Sequence, residues 1–208
     1  MLNKSTIISF LLCLGILAQA QKSRITRDVY ITNYRNIAVE EMLRSGIPAS
    51  ITLAQGMLES DNGNSSLAID ANNHFGIKCH KTWDGEKVYH DDDKKNECFR
   101  KYNSANDSYR DHTDFIKNTN RYAELFNNKS NDYKSWAKGL KNAGYATSRT
   151  YADDLIRIIE ENNLNKFDDG DLSFKPTNIF TDSKEDKLVE IKVRKIYERN
   201  RIKFVFAE

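Results

Sequence analysis

The chain has 208 residues, of which 39% are hydrophobic and 30% are charged, a composition typical of one soluble globular domain with extensions. Its 32 basic and 30 acidic side chains nearly balance, so it lacks the concentrated basic excess of a dedicated nucleic-acid-binding protein. This balance places no restriction on a partner such as a sugar polymer.

The first twenty residues differ from the rest of the chain. Lys4 gives a positive start, an apolar run extends from Ile7 to Ala18, and Ala18 and Ala20 stand where a signal peptidase reads small residues. The run is too short for a bilayer core of about 30 Å. Residues 1–20 are therefore predicted to be a signal peptide, and no other stretch is predicted to cross a membrane. Export to the periplasm, the cell wall or the medium is expected.

Removal of the leader leaves Cys79 and Cys98 as the cysteines of the mature chain. An even pair in an exported protein predicts a disulfide, which would close a loop of about twenty residues and contribute about 3 kcal/mol in the chain-entropy model. A zinc site that adds His80 and His90 is the alternative, although its spacing fits no common zinc pattern. No metal and no cofactor is predicted.

Helices come first along the mature chain. Apolar residues at helical spacing predict a helix from about Tyr30, and Gly46 ends it. A second helix is predicted to carry Pro48 in its first turn and to end at Glu59, because Asp61–Asn64 has the composition of a turn.

A small β-hairpin is predicted between about Gly76 and Tyr102. One short alternating segment follows the turn at Trp83–Gly85, and a second covers Glu97–Tyr102. The disulfide is expected to join the ends of this hairpin. Asn73, just before it, is expected to order the loop below Glu59.

Helices return after the hairpin. Ser104 is predicted to cap a helix through Ile116, a second helix covers Tyr133–Asn142, and a third begins near Thr150. Helix, small β insert and helix make an α+β arrangement. Trp136 lies in mid-helix and is expected to pack in the core. Residues 165–208 are predicted to form a linker and a partial or disordered tail.

Several separated segments carry a resemblance to a known family. They are Ile47–Ser60, Gly63–Ser65, Asn72–Lys78, Phe99–Tyr102, Arg121–Ala123, Ala143–Thr147 and Tyr151–Ala152. In this order they resemble the bacterial glucosaminidases of glycoside hydrolase family seventy-three, which include the flagellar peptidoglycan hydrolase. The resemblance covers residues 30–164, so the catalytic domain is placed at residues 21–164.

The resemblance implies a mainly helical, lysozyme-like fold, in which a helical lobe and a small β-hairpin lobe flank a substrate groove. It implies an endo-β-N-acetylglucosaminidase that cleaves the β-1,4 bond between N-acetylglucosamine and N-acetylmuramic acid. The implied partner is the glycan strand of peptidoglycan, and a monomer is expected. A muramidase or lytic transglycosylase on the same scaffold, or a non-catalytic wall-binding module, remains an alternative.

The resemblance aligns Glu59 with the general acid of the family. Taken alone, a glutamate at a helix end is expected to be an ordinary surface residue. However, glycoside cleavage needs an acid that keeps its proton near neutral pH, and the apolar helix before Glu59 offers a setting for one.

The second carboxylate is left open by the sequence. In the family it lies in the β-lobe, which offers Glu86, Asp91, Asp92, Asp93 and Glu97. Asp91, Asp92 and Asp93 are preferred because they fall nearest the hairpin tip, whereas Glu97 adjoins Cys98 and should be fixed close to the sheet. The sequence is compatible with three roles for this second group. It could be a base that activates water or a nucleophile, or the acetamido group of the substrate could act in its place.

Aromatic side chains are expected to line the groove, because the C–H face of a sugar packs on flat apolar surfaces. The candidates are Phe75, Trp83, Tyr122, Tyr145 and Tyr151. In the tail, Val189–Val205 resembles the segment that leads into a LysM glycan-binding domain.

Overall fold

Two groups of helices, separated along the chain by a β-hairpin, make up the part of the chain that the structure describes. The computed structural model describes residues 24–81, 83–92 and 94–170. The elements are α1 (Arg27–Ser45), α2 (Ala49–Glu59), α3 (Ser66–Ala71), β1 (Lys87–His90), β2 (Glu97–Arg100), α4 (Ala105–Asn118), α5 (Tyr133–Asn142) and α6 (Tyr151–Glu161). Two 3₁₀-helices cover Asn120–Asn127 and Leu164–Phe167. The predicted α+β, mainly helical class is confirmed.

The junction between α1 and α2 follows the sequence closely. Gly46 ends α1 in the left-handed conformation, with φ at +88°, and its N–H donates to the carbonyl of Met42 at 2.8 Å. Pro48 precedes the first residue of α2 as its N-cap, one position earlier than predicted. Proline has no side-chain acceptor for the free N–H groups of the first turn, so α2 needs a cap from elsewhere.

Asp168 supplies that cap. Its carboxylate accepts the backbone N–H of Ser50 at 2.8 Å and the Ser50 hydroxyl at 2.6 Å. The side chain is buried, and burial raises the pKa of Asp168 to about 6. Packing thus continues past Leu164, where the sequence had placed the start of a linker, and Phe167 is also buried.

Helix α2 runs through the centre of the helical lobe. Its residues from Ala49 to Met57 are all buried, and α1, α6 and the second 3₁₀-helix pack against it. An all-round apolar helix has to be enclosed in this way. Only Leu58 and Glu59 of α2 are exposed, at its last turn, which presents the Glu59 side chain to solvent.

The hairpin pairs β1 and β2 in antiparallel register, with Val88 opposite Phe99. Cys79 and Cys98 form the predicted disulfide, with their Cα atoms 5.3 Å apart. The bridge connects β2 to the segment before the hairpin rather than β1 to β2. Because both sulfur atoms are in the disulfide, neither cysteine is available as a thiolate ligand for the alternative zinc site.

Asn73 holds the base of this lobe. Its Nδ2 donates to the carbonyls of Ile77 at 3.0 Å and Arg100 at 2.8 Å, and its Oδ1 accepts the N–H of Ile77 at 3.0 Å. The buried amide therefore joins the loop after α3 to β2.

The later helices also agree with the sequence. Ser104 caps α4, α5 has the predicted bounds, and Thr150 is the N-cap of α6. Trp136 is fully buried, as expected. Helix α3 and both 3₁₀-helices were not predicted, because each is too short to show a clear period.

Several expectations concern residues outside the described ranges. These are the signal peptide at residues 1–20, Asp93, and the tail with its LysM-like Val189–Val205. Within the described residues, no helix has the length and apolar character that a membrane span requires.

Candidate active site

Glu59 stands at the junction of the buried helix α2 and the exposed turn that follows it. The residue keeps access to solvent, yet the protein atoms around its carboxyl group displace enough water to raise its pKa from 4.5 to about 7. Desolvation is the main cause, because it disfavours the charged form. A hydrogen bond with Tyr151 acts in the opposite direction.

Tyr151, the first residue of α6, is the partner of Glu59. Its side chain is buried, and burial together with the nearby Glu59 charge raises the pKa of its hydroxyl. The hydroxyl therefore stays protonated and is available to donate to the nearby Glu59 carboxyl group. On its other side, the Tyr151 oxygen accepts a hydrogen bond from Nε2 of Gln55 at 2.8 Å.

Tyr145 lies beside this pair. Its ring stacks on Tyr151 with centroids 5.5 Å apart, and its hydroxyl is 3.1 Å from Nε2 of His112. Burial lowers the pKa of His112 to about 3, so the imidazole is neutral. Part of Tyr145 remains exposed, so it can contact a ligand.

Three of the predicted sugar-contacting rings are buried, namely Phe75, Tyr122 and the Tyr151 ring described above. Tyr122 is fully buried, and Phe75 is 5% exposed. Phe75 stacks on His112 at 3.9 Å, and Tyr122 lies 6.2 Å from Tyr145 between ring centroids. In this structure the rings of Phe75 and Tyr122 have no free face on which a sugar could pack, so their predicted role in the groove finds no support in their burial. Phe75 packs against His112, and Tyr122 packs against Tyr145, on the core side of the site.

Trp83 lies at the base of the hairpin and is partly exposed. Its indole N–H donates to the Glu86 carbonyl at 2.9 Å, and the Arg100 guanidinium is 4.7 Å from a ring centroid. These contacts hold the indole in place, and it stays a candidate for ligand contact.

The hairpin carboxylates are engaged within their own lobe. Asp91 accepts the N–H of Asn96 at 2.8 Å, and Lys78 lies 3.1 Å from Asp92 and 2.7 Å from Glu97. Glu86 is likewise paired, with Lys101 at 2.8 Å. The pairing of Glu59 with Asp91, Asp92 or Asp93 across the groove stays a prediction.

Sequence reasoning missed Gln55 and His112. Gln55 precedes Glu59 by four residues, which places both on one face of α2. A large polar residue at that spacing inside a mostly apolar helix was the available signal for Gln55. His112 had no comparable signal. Among the described residues, no group of three or more His, Cys, Asp or Glu could hold a metal ion.

Comparison with known proteins gives matches over most of the described region. The sequence pattern of the family described as "Glucosaminidase: Mannosyl-glycoprotein endo-beta-N-acetylglucosaminidase" matches residues 35–164. The exo-glucosaminidase LytG of Bacillus subtilis is 34% identical over 153 residues, which are 68% of this chain and 54% of that protein. The peptidoglycan hydrolase FlgJ of Vibrio parahaemolyticus is 30% identical over 63% of this chain and 46% of its own length. The chain thus spans about half the length of these relatives.

Solved structures show the same fold. A peptidoglycan hydrolase from Sphingomonas sp. A1 superposes with a TM-score of 0.59 at 31% identity, over 68% of this chain and 92% of that one. The glycoside hydrolase domain of Salmonella typhimurium FlgJ gives a TM-score of 0.58 at 27% identity, over 67% of this chain and 89% of that one. The predicted lysozyme-like architecture is confirmed by these neighbours.

Proposed function

The chain belongs to the glucosaminidase family of glycoside hydrolases, and on this premise we propose that it is a peptidoglycan hydrolase with Glu59 as general acid. The proposed reaction is endo-cleavage of the β-1,4 bond between N-acetylglucosamine and N-acetylmuramic acid. The family description names a mannosyl-glycoprotein, but relatives called peptidoglycan hydrolases favour peptidoglycan as the substrate.

The observation that carries this proposal is the place of Glu59 at the exposed end of the buried helix α2, beside Tyr151, where desolvation raises its pKa to about 7. A carboxyl group in this state holds a proton for part of the population at neutral pH and can release it during the reaction. Protonated Glu59 gives its proton to the bridging oxygen as the bond from that oxygen to C1 of N-acetylglucosamine breaks. Water then supplies a hydroxyl group to C1, and its remaining proton restores Glu59 or reaches solvent.

Tyr151 is proposed to stabilise the Glu59 carboxylate that forms when Glu59 donates its proton. Its hydroxyl donates to Glu59 and so stabilises the charged form, which is why it lowers the pKa of Glu59. Tyr145 and Trp83 are the proposed sugar contacts, because both are held in place and partly exposed.

The second group is proposed to come from Asp91, Asp92 or Asp93, which follow β1 in the sequence. For Asp92 this requires that it leave Lys78, and for Asp91 that it release the N–H of Asn96. A mechanism in which the acetamido group of the substrate is the nucleophile requires no rearrangement of Asp91 or Asp92.

A second candidate activity has a specific observation in its favour. Two relatives from Lactococcus lactis are called probable N-acetylmuramidases, and one is 33% identical over 60% of this chain. Such an enzyme would cut the other glycosidic bond with the same acid. LytG is called an exo-glucosaminidase, so cleavage from the ends of glycan chains is a further alternative.

The test is digestion of purified peptidoglycan, reduction of the products with borohydride, and mass spectrometry. Reduced glucosamine ends are the expected result, and products several disaccharides long at early times support endo-cleavage. Reduced muramic acid ends or anhydro-muropeptides would assign the other activities. No product, with sedimentation of the protein on the sacculus, would identify a wall-binding module. Export and a monomeric state are proposed with this function, and their tests are N-terminal sequencing of the mature protein and light scattering.

A further inference from the structure

Gln55 is a polar side chain in the core, and packing alone does not explain why a polar residue stands at this position. Its side chain is fully buried in α2, and its Nε2 donates to the Tyr151 oxygen at 2.8 Å. Its Oε1 has no hydrogen-bond partner among the described residues. A buried amide with one unpaired acceptor costs stability, and an apolar side chain of similar size would avoid that cost. The hydrogen bond to Tyr151 is therefore what the Gln55 amide provides and an apolar side chain would not.

A tyrosine hydroxyl has a single proton to donate. Because Gln55 donates to the oxygen of Tyr151, that oxygen acts as the acceptor on the Gln55 side, and the proton is left for Glu59. Gln55 and Glu59 are separated by one helical turn of α2, so the hydroxyl bridges two side chains on the same face. From this geometry we propose that Gln55 is a positioning residue, which turns the Tyr151 hydroxyl proton toward the Glu59 carboxyl group.

This role rests on the proposed function of Glu59 and adds a residue that touches no substrate. When Glu59 has given up its proton, its charge lies beside protein atoms that displace part of its water, and the Tyr151 hydroxyl is a neighbouring donor. Without the Gln55 donor, the Tyr151 hydroxyl can rotate and point its proton away. The carboxylate then loses stabilisation, the pKa of Glu59 rises, and proton transfer in the transition state becomes less favourable.

The test is Gln55→Met in the full chain, since methionine has a similar length and makes no such hydrogen bond. The Glu59 carboxyl is titrated by ¹³C NMR, its resonance being assigned by its loss in Glu59→Gln. We expect the pKa of Glu59 to rise by about half a unit to one unit. On peptidoglycan, kcat should fall about tenfold while KM changes less than about twofold, because positioning acts on the proton-transfer step. Gln55→Leu is the second variant, should Gln55→Met not fold.

A double-mutant cycle separates positioning from a structural effect. In a Tyr151→Phe background the hydroxyl is absent, so Gln55→Met should shift the pKa of Glu59 no further. The matched control is Thr52→Val on the same helix, where a buried hydroxyl donates to the Pro48 carbonyl at 3.3 Å, and it should leave the titration unchanged. An unchanged Glu59 titration in both Gln55 variants, or an equal shift with and without the Tyr151 hydroxyl, would overturn the proposal. The titration needs no substrate, so a protein that cleaves no glycan refutes the hydrolase proposal separately.

Discussion

The Tyr151 hydroxyl, at the start of α6, lies beside the carboxyl group of Glu59, at the end of α2, and each group affects the pKa of the other. The two helix ends meet because α6 packs against α2 in the core. Burial raises the pKa of Glu59 and the tyrosine partly offsets it, with a result of about 7. Two opposing effects therefore hold the acid near the pH at which donation and recovery of a proton are both feasible.

Replacement of Glu59 by glutamine should abolish release of muropeptides and leave the fold intact. Glutamine keeps the size and polarity of the side chain but has no acidic proton, so we expect a loss of about 10²–10⁴-fold in kcat. Turnover on purified sacculi and circular dichroism check this. Glu161→Gln is the matched control, since it also changes the last residue of an α-helix, and it should keep normal turnover. Near-normal activity of Glu59→Gln would refute the assignment.

The same variant should be more stable than the wild type at alkaline pH. The folded-state pKa of Glu59 is raised from 4.5 to about 7, so the folded protein binds the proton more tightly than the unfolded chain does. The contribution of Glu59 to stability is therefore present below pH 4.5 and is lost as the pH rises through about 7. Thermal unfolding should show a higher Tm for Glu59→Gln at pH 8 than for the wild type. A difference of the same size at pH 4 would contradict this origin.

The pH dependence of activity should follow the same group. Protonated Glu59 is the active form, so kcat/KM is expected to fall above about pH 7, by tenfold per pH unit for a single ionisation. Initial rates on soluble glycan fragments between pH 5 and about 9 measure this limb. A flat profile through this range, with the protein folded, would mean that the group lost on ionisation is not Glu59.

The sequence could predict what depends on local pattern. Gly46 and Ser104 marked helix ends, and the order of the segments that resemble the family led to Glu59. It could not predict contacts made by residues far apart in the chain. Asp168 caps α2 across 118 positions, and its turn-like surroundings read as a linker. Phe75 and Tyr122 are aromatic residues beside the site, but only their three-dimensional packing shows that their faces are covered.

The hairpin carboxylates can be distinguished by single substitutions to asparagine. If Asp92 is the second catalytic group, Asp92→Asn should lower kcat by about 10²-fold or more, whereas loss of its exposed contact with Lys78 alone should cost under about 1 kcal/mol of stability. Asp91→Asn and Asp93→Asn are measured alongside, with Glu97→Gln as the control that also contacts Lys78. Normal kcat in all three aspartate variants would favour the acetamido route.

Gly56 shows how closely the helix that carries Glu59 is packed. A Cβ atom at this position would lie 2.6 Å from the Tyr30 hydroxyl and 2.8 Å from the Tyr109 hydroxyl. These two buried hydroxyls bond to each other at 2.9 Å, and that of Tyr30 also contacts Nδ1 of His74 at 3.1 Å. Glycine is the only residue that leaves this network in place against α2.

Gly56→Ala should therefore destabilise the protein, although alanine is the better helix former. The gain in helix propensity is about 1 kcal/mol, whereas forcing a methyl group into a full core costs about 1–3 kcal/mol and here also disturbs a buried hydrogen bond. We expect a net loss of about 1–2 kcal/mol in the free energy of unfolding, measured by urea denaturation. Removing one obstructing hydroxyl with Tyr109→Phe should reduce the effect of Gly56→Ala, as an interaction term in the double-mutant cycle. An equal or greater stability of Gly56→Ala would show that the tyrosines move aside freely, and α2 would then not fix Glu59 through this contact.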